Sequence, residues 1–408
     1  MHQQPLIPHL FRTEFSKITA VLCKLFGLAY LHAAEDIASD TFLSALETWP
    51  YRGVPENPVA WLYAVAKNKA ANQIARGKIF TGKVAPQLMQ AVQAAEAINV
   101  DLTEQNITDS QLQMLFAVCH PAIPTEAQVG LALRVLCGFG IEEIASAFLT
   151  NKETINKRLY RAREKLRLEK VAVEFPGEAE IPNRLAGVLT TLYLLYSEGY
   201  YSESHDTVLR EDLCLEAIRL TYLLLANETT NLPAVNALMA LMCFQSSRFK
   251  ARKTHCGGLV LYDDQDETLW DITLVEKGAH YLRKASQGNA LTKYHIEANI
   301  AYWYTVKADT PEKWENILQL HNHLLLVEYS PIAALNRTYA LAKANGKHAA
   351  IIEAEKLQIA SNPFYYALLG YLYTGIDTAK AKMSFEKASA LAKTQADRQV
   401  LQKKIDAL

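Results

Sequence analysis

Hydrophobic spacing constrains this chain more than any other feature. From end to end its apolar residues recur at three- and four-residue intervals, the period of an α-helix. Alternating β-branched runs are absent, and Ala, Leu, Lys, Glu and Gln fill the segments between Gly and Pro breakers, residue types that cost little to place in a helix. The expected fold class is all-α. With 408 residues, 50% of them hydrophobic and 21% charged, the chain can bury cores for two or three domains.

Composition narrows the function classes. A formal net charge of −1 argues against a protein that coats nucleic acid nonspecifically, although local fields rather than the total govern binding. Cys23, Cys119, Cys137, Cys214, Cys243 and Cys256 are scattered without a CxxC pair, which suits buried thiols in a reducing compartment. The opening MHQQPLIPHLFRTEF lacks the basic-then-apolar order of a secretion signal. The run VGLALRVLCGFGI is broken by Arg134 and two glycines and falls short of a membrane span. No Gly-rich phosphate loop, nucleophile elbow or HExxH is found. The acidic run Tyr262–Glu267 lacks calcium-loop spacing and reads as a solvated loop, and Cys119–His120 and His321 with His323 are weak metal signals. A cytoplasmic protein with no membrane segment, no enzymatic chemistry, no metal and no cofactor is expected.

Breakers divide the chain into three sections. From 8 to 78, helices are expected around Phe11–Phe26, Ala33–Trp49 and Val59–Arg76. The last follows the turn-rich YRGVPENP, with Asn57 as cap and Pro58 at the first helical position. Residues 79–107 read as a linker. From 108 to 170 come Gln111–Cys119, Thr125–Cys137, Ile141–Phe148 and Lys152–Lys170, the last two with helix-turn-helix spacing. From 180 to 408 one helix follows another. Near the end, LLGYLYTGIDTAKAKMSFEKASAL resembles a tetratricopeptide unit, with Leu369, Gly370 and Tyr373 in the first-helix positions and Ala381, Phe385 and Ala388 in the second. The preceding PIAALNRTYALAKANGKHAAIIEAEKL repeats the layout around Asn345–Gly346.

The segment NKETINKRLYRAREKLRLEK sets Lys152, Lys157, Arg158, Arg161, Arg163, Lys165, Arg167 and Lys170 against three glutamates. Ile155, Leu159, Ala162 and Leu166 fall at i, i+4, i+7 and i+11, so one stripe is apolar and the remainder is free for a polyanion. Asn151 is the expected N-cap. Lys152, Glu153, Thr154 and Asn156 then occupy the first turns, where a recognition helix meets base edges, while Lys157, Arg158, Arg161 and Lys165 follow for phosphates. The preceding EEIASAF supplies a supporting helix with Ile144, Ala145 and Phe148 inward. The plainer alternative is an amphipathic helix with a solvated charged face.

EEIASAFLTNKETINKRLYRAREKLR resembles region 4 of the sigma-70 family, whose pattern runs E-I-A, a turn, then T-V-x-x-R-L-x-R-A-x-x-x-L. Glu143, Ile144, Ala145, Thr154, Ile155, Arg158, Leu159, Arg161, Ala162 and Leu166 match, and Leu149 stands where glycine is usual. Upstream, AEDIASDTFLSALETW is similar to the region 2 helix that docks on the polymerase β′ clamp helices. The resemblance gives Glu35, Asp36 and Asp40 that polymerase-binding role, while Ile37, Phe42, Leu43 and Leu46 are spaced for the helix's own core. NPVAWLYAVAKNKAANQIARGK resembles the next element, W-L-x-x-I-A-x-N-x-x-x-D-x-x-R, through Trp61, Leu62, Ala66, Asn68 and Arg76, with Asn72 where aspartate is typical. Trp61 is expected in the core. Lys67, Asn68, Lys69, Asn72, Gln73 and Arg76 become candidates for the −10 element, and the loop of Tyr51 and Arg52 for a flipped base.

Two small helical sigma domains without a region 1.1 or region 3 segment resemble the layout of the extracytoplasmic-function (ECF) group. The phrases CHPAIPTEAQVGLALRVL, LYSEGY, REDLCLEAIRL, ALMALMCFQSSR, LYDDQDETLWD and SPIAALNR resemble an ECF subgroup with a tetratricopeptide-like C-terminal extension. The resemblance implies core RNA polymerase (β′ clamp helices and β flap) and promoter DNA as partners. It also implies control through the extension, whose stacked helices suit an intramolecular or peptide partner. Within it, Glu198, Gly199, Tyr200, Arg210, Asp212, Glu216 and Arg219 form a polar stretch that either lines a groove or pairs internally. Two rival readings are a helix-turn-helix regulator with a tetratricopeptide-like sensor, acting without promoter melting, and an interaction scaffold whose basic helix is surface only.

Overall fold

The structure, a computed structural model, describes residues 6–75, 100–148, 150–200, 210–253, 260, 262–288, 290–359, 361–392 and 395–408. Among these residues the regular structure is helical, with a lone bridge residue at Lys253, as the 3.6-residue period requires. The chain divides into two compact units, Met1–Leu195 and Tyr196–Leu408. Arg76, Leu149, Cys256 and residues 79–99 of the expected linker lie outside the described residues.

The first unit contains α1 (Leu6–Phe26), α2 (Leu31–Arg52), α3 (Pro58–Ala75), α4 (Glu104–Val118), α5 (Thr125–Leu131), α6 (Ile141–Ala147) and α7 (Lys152–Leu168), and α8 (Ile181–Tyr200) carries the division between units. Helix α1 is central. Its buried residues, among them Phe15, Ile18, Val21 and Leu22, surround it instead of forming one stripe, which marks a helix covered on several sides. It packs against α2 and α3, and also against α4 and the π-helical turn Ala132–Leu136. Helix α3 starts as its sequence predicts: the Ala60 amide donates to Asn57 Oδ1 at 3.0 Å, and Pro58 takes the first helical position.

Three local expectations change. Leu43 and Leu46, expected in the core of α2, are 51% and 53% exposed. At about 100° per residue, Leu46 lies opposite the buried Ile37, and the true stripe is Ile37, Ala38, Thr41, Phe42 and Ala45. Helix α4 starts at Glu104 rather than at Gln111. There Asp101 accepts from the Thr103 amide at 2.9 Å, and Ile107 is already buried; this Asx-type start is hidden in a polar stretch. The expected helix Thr125–Cys137 changes pitch after Leu131. Cys137 donates to the Ala132 carbonyl at 3.2 Å, a bond one residue longer than an α-helical one.

The second unit continues with α9 (Glu211–Ala226), α10 (Pro233–Ser246), α11 (Ile272–Ala285), α12 (Lys293–Trp303), α13 (Pro311–Val327), α14 (Pro331–Asn345), α15 (Lys347–Leu357), α16 (Pro363–Tyr373), α17 (Thr378–Leu391) and α18 (Gln395–Asp406). From α13 onward each helix packs chiefly on its neighbours in sequence, with Pro at the start of α10, α13, α14 and α16. Gly346, at φ 89°, makes the turn between α14 and α15, a conformation that costs a side-chain-bearing residue energy. Leu369, Tyr373, Ala381, Phe385 and Ala388 are all buried. A Cβ on Gly370 would stand 2.6 Å from the Phe385 ring, so α16 and α17 meet where only hydrogen fits.

Part of the polar stretch pairs within itself, while Tyr200 accepts from Arg248 at 3.4 Å and has the Arg252 guanidinium 3.9 Å over its ring. Arg210 holds Asp212 through Nε at 3.0 Å and Nη2 at 2.8 Å, and Arg219 holds Glu216 at 2.8 Å. The acidic run is more than a solvated loop: Tyr339 donates to Asp263 at 2.8 Å, Lys343 stands 3.5 Å from the same carboxylate, and Tyr262 packs against Tyr304 and Trp314. No helix among the described residues is long and apolar enough to cross a membrane.

Candidate nucleic-acid interface

The basic helix begins where its N-cap fixes it. Asn151 is extended, and its Oδ1 accepts from the Thr154 amide at 2.8 Å, satisfying one donor that the helix start leaves open. In front of it, α6 is closed by Glu143, which accepts from the Gly140 amide at 2.7 Å. Ile155, Leu159, Ala162 and Leu166 are buried as one stripe. Helix α5 crosses α7 closely at Gly130, where a Cβ would lie 3.1 Å from Leu159 Cδ2. Ile144 and Ala145 of α6 are buried, and the half-buried Phe148 ring carries the Arg158 guanidinium 5.7 Å above it.

Helical geometry then sorts the candidate contacts. At about 100° per residue, Thr154, Lys157, Arg158, Arg161 and Lys165 fall within an arc of about 100°. Lys152 and Asn156 leave the opposite flank, beside Arg163, and Glu153 lies between the two sets. Intramolecular pairing separates the cations further. Lys152 bonds Glu142, Arg158 reaches Glu126 at 3.0 Å, Lys165 holds Glu169 at 2.7 Å and Arg167 holds Glu164 at 2.9 Å. Lys157 and Arg161 are exposed and, among the described residues, have no carboxylate within ion-pair distance. They are the cations of α7 whose charge is left for an external anion.

On α3, Asn68, Lys69, Asn72 and Gln73 share one side at the same spacing, whereas Lys67 leaves about 160° from Lys69. Lys67 lies toward Asp101, whose carboxyl is held below the usual range first by the Thr103 amide and hydroxyl, then by Lys24 and Lys67. Tyr51, 89% exposed, and Arg52 stand at the end of α2, which Gly53 terminates at φ 83°. Trp61 is half-buried, packed edge-on against Trp49 at 5.4 Å. Behind this face Tyr63 donates to Glu14 at 2.5 Å, and burial followed by that bond pushes its phenol well above the usual range.

The three α2 carboxylates expected to meet polymerase divide two to one. Asp36 and Asp40 are exposed. Glu35 is only 6% exposed, and Arg134 Nε reaches its Oε1 at 3.2 Å while Arg163 Nη2 reaches Oε1 at 3.1 Å and Oε2 at 3.0 Å. Arg134 also donates to the Phe139 carbonyl at 3.1 Å. In the sequence Arg134 stands out only as the residue that interrupts an apolar run. That interruption was the signal, because a cation inside such a run must find a buried anion.

Sigma-70 region 2 matches residues 10–78, sigma-70 region 4 matches residues 114–166, and a family of unknown function, DUF6596, matches residues 184–286. An uncharacterised protein of Rhizobium meliloti is 32% identical over 384 residues, covering 93% of this chain and 90% of its own length. The RNA polymerase sigma-H factor of Pseudomonas aeruginosa is 28% identical over 154 residues, which make up 35% of this chain and 77% of that protein. No solved structure matches the chain. Region 2 falls on α1–α3 and region 4 on the helices that end in the capped basic α7. The chain belongs to the sigma-70 family of sigma factors, proteins that bind core RNA polymerase and promoter DNA to direct transcription.

Proposed function

We propose that the chain is a cytoplasmic ECF-type sigma factor whose two promoter readers are α7 for the −35 element and α3 for the −10 element. The observation that carries this reading is the exposed arc of α7, where, among the described residues, Lys157 and Arg161 have no carboxylate within ion-pair distance, behind an ordered N-cap. Thr154 leads that arc toward base edges, and Lys165 extends it along the backbone. Arg158, tied to Glu126, holds α5 against α7 and meets DNA only at its tip. Asn68, Lys69, Asn72 and Gln73 of α3 line a polar surface for the melted strand, with exposed Tyr51 and Arg52 close by in sequence to receive a flipped base. Asp36 and Asp40 offer carboxylates to the β′ clamp helices, and region 4 is the partner of the β flap.

The helices after residue 180 act on this reading as a tetratricopeptide-like regulatory extension. Their neighbour-on-neighbour packing and the Gly370–Phe385 approach support that assignment. Run-off transcription with the full-length chain and purified core polymerase tests the proposal. Start sites downstream of a shared −35/−10 pair are expected, and K157A/R161A should weaken them in step with its loss of promoter affinity. Specific DNA binding that is indifferent to core polymerase would replace this reading with an operator-binding regulator.

A further inference from the structure

The second unit buries two cations beside one tyrosine and gives neither a carboxylate. Lys313, in the first turn of α13, is 1% exposed, and Arg248, just past the end of α10, is 8% exposed. Lys313 Nζ donates to Tyr262 Oη at 2.8 Å and to the Val306 carbonyl at 2.7 Å. Arg248 Nη2 donates to Tyr200 Oη at 3.4 Å, and its guanidinium lies 5.6 Å from the Tyr262 ring centre and 5.5 Å from that of Tyr304. All these partners are neutral, and among the described residues neither cation has a carboxylate within ion-pair distance. The carboxylates close by are engaged elsewhere. Asp263 accepts from Tyr339 and stands 3.5 Å from Lys343, while Asp309 is 3.3 Å from Lys343 and accepts from the Trp314 indole. Burial pulls the Lys313 ammonium below its ordinary pKa even though Asp309 and Glu267 act in the opposite sense. Two buried charges without a paired opposite charge are costly to a fold.

Unpartnered polar atoms gather at the same place. Arg248 Nε and Trp270 Nε1 are buried donors and Gln265 Oε1 is a buried acceptor, and none has a hydrogen-bond partner among the described residues. Gln265 Nε2 donates to the Val260 carbonyl at 3.4 Å, which leaves its oxygen as the open end of the amide. Tyr262 is the hub, with the Tyr304, Trp314 and Trp270 rings 4.9, 6.2 and 6.5 Å from its own. Tyr262 and Gln265 are half-buried, so the cluster reaches the surface of the unit on their side. Buried donors and acceptors are almost always paired in folded proteins, and a group of unpaired ones marks a place where something else binds.

We propose that this cluster is a binding site for a small organic anion, a hydroxy-carboxylate in its simplest form. The Arg248 guanidinium edge and the Lys313 ammonium take the carboxylate in charge-assisted bonds, Trp270 Nε1 donates to it, and Gln265 Oε1 accepts from the ligand hydroxyl. The aromatic walls of Tyr262, Tyr304 and Trp314 favour an organic body over an inorganic ion. The inference goes beyond the regulatory reading of the extension by giving it a chemical input.

The test titrates the free full-length chain with lactate, mandelate, acetate and inorganic phosphate, reading heat by calorimetry and the fluorescence of the neighbouring tryptophans. Saturable binding of lactate or mandelate is expected. Acetate, which lacks the hydroxyl, should bind about tenfold more weakly, the worth of one hydrogen bond. R248M and K313M should each weaken hydroxy-acid binding by about tenfold or more. K284M removes the same charge from an exposed position on α11 and should bind as wild type does. Q265L should erase the preference for lactate over acetate, a change that a purely structural role for Gln265 would not produce. It also decides the matter if circular dichroism shows that R248M or K313M folds poorly. The proposal is overturned if wild type binds neither hydroxy acid, if folded R248M and K313M bind as wild type does, or if Q265L keeps the preference. Tighter binding of acetate or phosphate overturns it too, because the cluster would then hold an adventitious ion only. Binding is read without polymerase, so a chain that fails to engage core polymerase would sink the sigma-factor reading and leave this result standing.

Discussion

Replacing Lys157 and Arg161 with alanine tests the division of α7 into a phosphate-facing arc and paired flanks. Both positions are exposed, both lie off the buried stripe of Ile155, Leu159, Ala162 and Leu166, and alanine favours helix at least as well as either cation. The fold should survive intact. If each cation neutralises one phosphate, the double variant loses two counterion-release events, and the slope of log affinity against log salt becomes shallower by about 1.8. Referred to 1 M salt, that slope predicts a loss of about 60-fold at about 0.1 M and only about 9-fold at about 0.3 M. The assay is fluorescence anisotropy of a labelled promoter duplex with the core-polymerase complex across that salt range. R167A is the control: Arg167 already holds Glu164 through Nε at 3.2 Å and Nη2 at 2.9 Å, so its removal should leave the slope within experimental error of wild type. An unchanged slope in K157A/R161A, or an equal loss in R167A, would mean that the helix presents a diffuse field with no defined arc.

Two further outcomes concern the second unit. G370A places a methyl group 2.6 Å from a Phe385 ring that is itself buried; the overpacking should cost about 1–3 kcal/mol in urea unfolding, with partial recovery in G370A/F385L, and a neutral G370A would show that the ring yields freely. His321 is only 4% exposed, and neither ring nitrogen has a hydrogen-bond partner among the described residues. Burial, followed by the nearby Arg337 charge, pushes its imidazole down to about 4. An unfolded histidine takes up its proton near pH 6.5 while the native one resists to about 4, so the unfolded state binds more protons across that window and stability falls with falling pH. At about 1.4 kcal/mol per unit the loss attributable to this residue is about 3 kcal/mol by pH 4. H321L should flatten that part of the stability profile, whereas a profile parallel to wild type would remove His321 as its source.

Much of the fold and of the basic helix was legible because the relevant signals are local. The start of α3 follows from Asn57 and Pro58, the start of α7 from Asn151, and the buried face of α7 from four apolar residues at helical spacing. Each depends on residues three or four positions apart. The misassigned face of α2 marks where that logic ends. Leu43 and Leu46 are as apolar as the residues that were buried, and only the positions of α1 and α3 decide that Ala38, Thr41 and Ala45 face inward while the leucines meet solvent.

Local pattern along the chain carries most of the helical segments, the start of the capped basic helix, and the residue types that helix offers to a polyanion. Tertiary structure decided which charges remain free to use. Arg134 and Arg163 find Glu35 across sequence separations of 99 and 128 residues, and Arg158 finds Glu126 on another helix, so Arg158, Arg163 and Glu35, which looked as available as their neighbours, are committed internally. Helix formation is decided by neighbours along the chain, but the pairing of a charge is decided by whatever folding brings within about 4 Å of it.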